Sequence, residues 1–391
     1  MPNTPSLPAP GTEALLHSAI LTDLLRHDIA ANDGWISFAR YMELALYAPK
    51  LGYYTAGSQK FGEAGDFITS PELSALFGRT LARQVTEILK GSSPHILELG
   101  AGSGKLACDM LEEMDKLGNL PDSYSILEVS ADLSARQQVM IQQCLPHLFN
   151  RVHWLEALPE NFSGAIVANE VLDALPVHRV HWQGSKLGEL GVALNETKFI
   201  WQERAISDHA LLQAATQVEV SGDYVSEICL AARGLVNSLA CSLTQGAMLF
   251  IDYGFGSREF YHPQRAQGTL MCHYRHRAHD DPFYLPGLQD ITAHVNFTDI
   301  AECGIDAGLE VLGYTNQAFF LINNGIAELL KDIPPEDLKA YLPLSAQLQK
   351  LTSPAEMGEL FKVLALGKNL VTSPAEGPLS GFSCGDLTRL L

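Results

Sequence analysis

Positive charge is scarce in this 391-residue sequence: 26 lysines and arginines stand against 45 aspartates and glutamates, for a formal net charge of −19. So acidic a chain is a poor candidate for wrapping nucleic acid, which relies on clustered Lys and Arg to neutralise phosphates. It is equally ill suited to an anionic membrane surface. Long apolar runs are missing as well. The strongest, Ala247–Ile251, has the length of a core strand and falls far short of the ~20 residues of a membrane helix. Neither a nucleic-acid partner nor membrane insertion is expected. Cysteines are few: Cys108, Cys144, Cys229, Cys241, Cys272, Cys303 and Cys384 are odd in number, scattered and free of any C-x-x-C. That argues against a disulfide framework or a zinc ribbon and for reduced thiols in a cytoplasmic protein. The opening MPNTPSLPAPGTEALL has neither the basic region of a secretory signal nor the arginines of a transit peptide. What is present is a globular composition, 47% hydrophobic and 18% charged. The length suits roughly two to three domains at ~150 residues each.

The chain changes rhythm along its length. Residues 1–12 form a proline-rich tail, and apolar spacing predicts helices from Glu13 to about Ala31 and from Ser37 to Leu46. Ser70-Pro71-Glu72 opens a helix to about Lys90, with Ser70 as N-cap. From His95 short apolar strands (HILEL, YSILEV, RVHWL, GAIVAN) alternate with helices over Lys105–Lys116 and Asp132–Cys144, the pattern of a parallel sheet buried on both faces. Val177–Trp182, Leu187–Leu194 and Phe199–Arg204 look like antiparallel hairpins inserted in that sheet. A helix is expected over about Asp223–Leu243, then the buried strand AMLFIDYG, a long Gly/His/Pro-rich loop to about Gln289, and a helix from Asp299. LEVLGY is strand-like, and FKVLAL suits a late edge strand.

The most informative segment joins the strand Ile96–Leu99 to Gly100, Gly102 and Gly104 and then to a helix at Lys105. Alternate glycines allow a tight turn and a close approach of a ligand to backbone N–H groups. A phosphate-binding P-loop fails, because Leu99 and Leu106 occupy positions where Gly and Ser/Thr are required. A dinucleotide G-x-G-x-x-G also fails, because the third glycine comes one residue early. The remaining form, G-x-G-x-G with Glu98 two residues ahead, suits S-adenosylmethionine: Glu98 can attract the cationic end, and Glu128, closing the next strand, can accept both ribose hydroxyls. The bland alternative is an ordinary glycine-rich turn with a solvated Glu128.

ELGAGSG resembles the first motif of class I SAM-dependent methyltransferases. Five further segments, ISFARYMELALYAPKLGYY, GDFITSPELSALFG, ANEVLDALPVHR, FIDYGF and GTLMCHYRHRAHDDPFYLPGLQDITAHVNFTDIAE, resemble the MidA family within that class, also called the mitochondrial complex I assembly-factor methyltransferases. The resemblance spans about residues 35–303. It implies an α/β fold with a Rossmann-like, seven-stranded methyltransferase sheet, an N-terminal helical extension and inserted β-hairpins and helices. It also implies SAM as the methyl donor. The expected division is a helical region with a cofactor-covering loop over 1–90, the SAM-binding half over 91–176, inserted hairpins and a helix over 177–245, and the remaining core with a substrate-side loop over 246–391. In the eukaryotic member the acceptor is an arginine on a core subunit of respiratory complex I. The start of this sequence looks like a bacterial member, whose acceptor is a separate question.

Within that frame Glu170 and Asp173, in Asn169-Glu170-Val171-Leu172-Asp173, are the expected catalytic pair. Two carboxylates can grip a guanidinium bidentately and orient a nitrogen towards the methyl group. The alternative roles are a turn cap for Asp173 and a solvated loop acid for Glu170. Cofactor contacts are expected from Glu98, Gly100, Gly102, Gly104, Glu128 and Asn169. By resemblance, Gly65-Asp66-Phe67 covers the cofactor with Asp66 near the methionine amino group, and the DITAH segment places Asp290 and His294 on the substrate side. His273, His276 and His279 invite a metal reading, but interleaved Arg275 and Arg277 suggest a basic loop, so no metal is expected. The partner is then a protein carrying the target arginine, with a homodimer left open. Rival readings are a methyltransferase of a small molecule or another residue type, a SAM-binding assembly factor that acts by holding a partner, and an NAD-dependent enzyme.

Overall fold

The run HILEL is an extended strand, His95–Leu99, paired in parallel with Ser123–Leu127 on one side and Phe162–Asn169 on the other. Its apolar side chains point to both faces, as expected for a strand covered by helices above and below. The computed structural model describes residues 7–56, 69–184, 186–331, 333–334, 336–371 and 377–391. They form two compact units interleaved along the chain. One comprises Met1–Phe67, Ala174–Ala232 and Glu259–His294; the other comprises Ile68–Asp173, Arg233–Arg258 and Val295–Leu391. They are called here the antiparallel unit and the parallel unit.

The parallel unit is built on a sheet ordered Glu310–Asn316, Phe361–Lys368, Leu243–Phe255, Phe162–Asn169, His95–Leu99, Ser123–Leu127, Val152–Leu155. Those seven are joined by an eighth, the two-residue Val295–Asn296, which pairs in parallel with the end of Leu243–Phe255. The α/β expectation holds, with eight strands in place of seven. FKVLAL is not an edge: Phe361–Lys368 runs antiparallel between two partners, which accounts for its unbroken burial. On one face, Leu81, Val85 and Ile88 of helix Ala75–Lys90 and Met110, Leu111 and Met114 of helix Lys105–Lys116 share a core with Ile96, Val167, Leu249 and Ile251. Gly78 allows the two helices to approach, since a Cβ there would lie 2.7 Å from that of Asp109.

One helix boundary differs from expectation. Ser70–Leu73 is a separate short turn, and at Ser74 the backbone is extended before helix Ala75–Lys90 begins. Ser74, not Ser70, is therefore the side-chain cap, its hydroxyl accepting from the Leu76 N–H at 3.2 Å.

In the antiparallel unit the expected hairpins do not enter the parallel sheet. His178–Gln183, Lys186–Asn195 and Lys198–Ala205 form a separate five-stranded antiparallel sheet with Trp35–Ser37 and Asp223–Ile228. Asp223–Ile228 was expected to be helical. It is drawn into the sheet by pairing along the whole of His178–Gln183, a non-local partner that overrides local pattern, and the helix begins only at Leu230. The expected loop to Gln289 contains a hairpin of Met271–Tyr274 and Arg277–His279, which Asp290–Thr292 just beyond it completes as a three-stranded sheet. Helix Phe38–Tyr47 is capped by Ser37 as its sequence predicts, the hydroxyl accepting from the Arg40 N–H at 3.1 Å.

Candidate active site

The three alternate glycines have a common backbone reason. Gly100, Gly102 and Gly104 have φ of 60°, 55° and 86°, the left-handed region where a side chain is costly. The loop is braced by Gln137, which is fully buried on helix Ala131–Cys144. Its amide donates to the Gly102 carbonyl at 3.0 Å and to Glu128 Oε2 at 2.9 Å, while its oxygen accepts from Trp154 Nε1 at 3.0 Å. Glu128 Oε1 accepts from the Ser130 N–H at 2.9 Å. Burial raises the Glu128 pKa despite these donors. Glu98 is only 2% exposed and accepts from the Tyr124 hydroxyl at 2.8 Å. Loss of solvent pushes its carboxyl up to about 7, opposed by that hydrogen bond.

The acids of the NEVLD segment lie just beyond the strand Phe162–Asn169, whose partner Leu243–Phe255 carries Asp252 past the last paired residues, Ile251 and Asn169. Glu170 has φ of 52°, unusual for a residue with a side chain, and is held there by its N–H donating to the Ile251 carbonyl at 2.8 Å. Its Oε1 accepts from the Asn169 amide at 3.1 Å and the Ser70 N–H at 3.3 Å. Asp173, 6% exposed, accepts from the Tyr253 hydroxyl. Asp252, 1% exposed, accepts three backbone N–H groups: Leu172 at 2.9 Å, Asp173 at 3.2 Å and Tyr253 at 2.9 Å. Burial, then the negative charges of Asp173 and Glu170, hold its carboxyl well above the usual range. The Oδ1 atom of Asn169 is buried and has no hydrogen-bond partner, an acceptor still open at the strand end.

A profile of the S-adenosyl-L-methionine-dependent methyltransferase family Methyltransf_28 matches residues 76–315, well over half of the sequence. The chain belongs to this family. Its mitochondrial relatives include protein arginine methyltransferase NDUFAF7 of Danio rerio, 31% identical over 90% of this chain and 87% of that protein. The Homo sapiens protein of the same name is 29% identical over 88% and 83%. A crystal structure of a Burkholderia thailandensis protein bound to S-adenosyl-homocysteine superposes with a TM-score of 0.94 at 48% identity, covering 99% of this chain and 100% of that one.

For a member of this family the parallel unit has the parts that fit the cofactor: a loop of glycines in left-handed geometry, a carboxylate at the next strand end, and the open acceptor of Asn169. It also contains residues that motif reading passed over. Asp252 and Tyr253 lie in FIDYGF, where an acid inside an apolar run was the available signal. Gln137 had none, because its role depends on three groups distant in sequence.

Gly65 and Asp66 fall outside the described residues. Asp290 and His294 belong to the antiparallel unit. There Asp290 accepts from the Tyr54 hydroxyl at 2.9 Å, and the His294 N–H donates to Thr269 Oγ1 at 3.1 Å. His273 and His279 sit on the two strands of a hairpin, with Arg275 and His276 in its turn, both at positive φ. Among the described residues no group of three or more His, Cys, Asp or Glu is arranged to hold a metal ion.

Proposed function

We propose that this chain transfers the methyl group of S-adenosylmethionine to a guanidinium nitrogen of an arginine in a partner protein. The observation that carries the reading is the grouping of Glu170, Asp173 and Asp252 at the ends of two adjacent parallel strands, in the unit that holds the glycine loop. A guanidinium presents planar, paired donors that match carboxylates bidentately. The arginine methyltransferase name of the relatives supports the same acceptor class.

The bound cofactor supplies a methyl group activated on a sulfonium. In this reading Asn169 Oδ1 and Glu128 bind its polar ends, and the glycine loop admits its body. Glu170 orients the acceptor, with Asp173 beside it under the Tyr253 hydroxyl. As the new N–C bond forms and the C–S bond breaks, the guanidinium nitrogen loses a proton, which the carboxylates take up and pass to solvent. Alignment for in-line displacement supplies much of the rate.

The test is incubation of the purified chain with labelled methyl donor and an extract lacking it, with a respiratory complex I subunit as the first acceptor to examine. Label recovered in methylarginine is the expected result; label confined to small molecules would overturn the acceptor class. Glu170→Gln is expected to bind S-adenosylhomocysteine as before and to lose about 10²–10⁴-fold in turnover. Unchanged turnover would remove Glu170 from the mechanism.

A further inference from the structure

The short turn Ser70–Leu73 touches both halves of this site. At one end the buried Ser70 donates its N–H to Glu170 Oε1 at 3.3 Å. At the other, Glu72 accepts from the hydroxyl of Ser103, the residue between Gly102 and Gly104. Ser103 Oγ in turn accepts from the Lys105 N–H at 3.3 Å, so the glycine loop and the first turn of its helix share one anchor.

The turn itself is stiff. Pro71 fixes φ within its first turn. The Ser70 hydroxyl donates to Gln317 Oε1 at 3.2 Å, and the Ser70 carbonyl accepts from the Ser74 N–H at 3.3 Å. Ser74 Oγ donates to Gln347 Oε1 at 2.7 Å. Four residues are thus tied at one end to the buried Gln317 and at the other, through Ser74, to the half-buried Gln347, with one polar group presented to the cofactor loop and another to an acceptor-side acid.

We propose that Ser70–Leu73 is a positioning strut, in which Glu72 sets the glycine loop through the Ser103 hydroxyl and the Ser70 N–H sets the Glu170 carboxylate. The inference rests on the methyl-transfer reading above for what Glu170 does, but its Glu72 arm concerns cofactor binding alone. Neither residue takes part in the chemistry; each acts through another group. The two arms therefore affect different quantities, which a purely structural turn would not do.

The Glu72 arm is read by calorimetric titration with S-adenosylhomocysteine. Glu72→Ala and Ser103→Ala are each expected to weaken binding by about tenfold, the loss of one hydrogen bond to a charged group. The double variant is expected to be no weaker than either alone. Unchanged affinity, or two effects that multiply, overturns the strut.

The Ser70 arm uses a pair of variants. Ser70→Ala removes only the hydroxyl, whereas Ser70→Pro removes the N–H as well. Proline suits the site, because Thr69 already has φ of −80° and ψ of 164°, the conformation that precedes proline most readily. The expected result is a kcat about tenfold lower for Ser70→Pro than for Ser70→Ala, with similar S-adenosylhomocysteine affinity. Equal kcat in the two overturns this arm, and if Ser70→Pro does not fold, the Glu72 cycle still decides the proposal. Normal turnover in Glu170→Gln would instead remove Glu170 from the mechanism, and the Ser70 arm with it, while leaving the Glu72 arm standing.

Discussion

The two units surround their acids differently. In the antiparallel unit several acids face a base: the buried Glu189 lies 2.7 Å from His178, the buried Glu227 lies 3.5 Å from Arg179, and His181 sits between the exposed Glu203 at 2.6 Å and Asp223 at 2.5 Å, whereas the buried Asp290 accepts from the Tyr54 hydroxyl. The parallel unit does the same away from its strand ends, where Glu113 meets Arg79 at 2.8 Å. At the strand ends the rule is reversed. Asp252 is held by backbone N–H groups with the negative charges of Asp173 and Glu170 acting on it, and Glu98 has a phenol as its hydrogen-bond donor. Evolved folds rarely keep buried acids together without a use, and such clusters concentrate at functional sites. The contrast locates the place where the molecule would gain most from a cationic ligand.

The sharpest way to break this contrast is Asp252→Ala. It leaves three buried N–H groups without their acceptor, at about 1–3 kcal/mol each, so a loss of roughly 3–9 kcal/mol is expected in urea unfolding. A loss below about 1 kcal/mol would mean that Asp252 is not what organises the Glu170–Asp173 turn. Next is Glu98→Gln. Because the folded carboxyl is raised from 4.5 to about 7, the folded state holds a proton that the unfolded chain releases. Stability must then fall as pH rises from about 4.5 to 7, by an order of ~3 kcal/mol if the whole shift is realised. Gln is neutral throughout and can still accept from Tyr124, so its profile across that window is expected to be flatter. Parallel profiles for variant and wild type would assign the slope to other groups.

Residues whose constraints are local were legible in the sequence. Gly100, Gly102 and Gly104 each occupy a backbone region that favours glycine, and helix Lys105–Lys116 follows from spacing alone. What escaped depends on partners far along the chain. Asp223–Ile228 becomes a strand because His178–Gln183 pairs with it, and Phe361–Lys368 is interior because Glu310–Asn316 lies outside it. Asp252 escaped for a related reason: inside LFIDYGF it resembles one polar residue in a core strand, and the return of Leu172 and Asp173 to its side supplies two of the three N–H groups it accepts. The local motif marks Ser70 as a helix cap, while its N–H donates to Glu170.

Glu170 allows a smaller test of the same contrast, separating stability from activity. A non-glycine residue at φ of 52° carries strain of about 1–2 kcal/mol. Glycine would relieve it but adds about 0.5–1 kcal/mol of unfolded-chain entropy. Glu170→Gly therefore gains about 0–1.5 kcal/mol from the backbone against about 1–3 kcal/mol for the buried Ser70 N–H left without its acceptor, and is expected to cost no more than about 3 kcal/mol while losing methyl transfer. A loss above about 3 kcal/mol would show that the carboxylate holds the fold and is not kept at a cost for chemistry.

The least effect is expected at the acid–histidine–acid clamp of the antiparallel unit. Burial, the largest single influence, pulls the His181 pKa down, but the hydrogen bonds and charges of Asp223 and Glu203 together carry it above 6.5. For a raised histidine the stabilisation is complete below pH 6.5 and fades as pH rises through the folded value. Solvent screening of the exposed Glu203 and Asp223 keeps it below about 1 kcal/mol. Glu203 fits beside this strand because Gly188 has no side chain; a Cβ there would meet the Glu203 carboxylate. Gly188→Ala is thus expected to displace Glu203 and lower the His181 titration midpoint seen by NMR, leaving the Asp223 contact in place. An unmoved midpoint would show that Glu203 contributes nothing, and the pairing of acids with bases would then rest on His178 and Arg179.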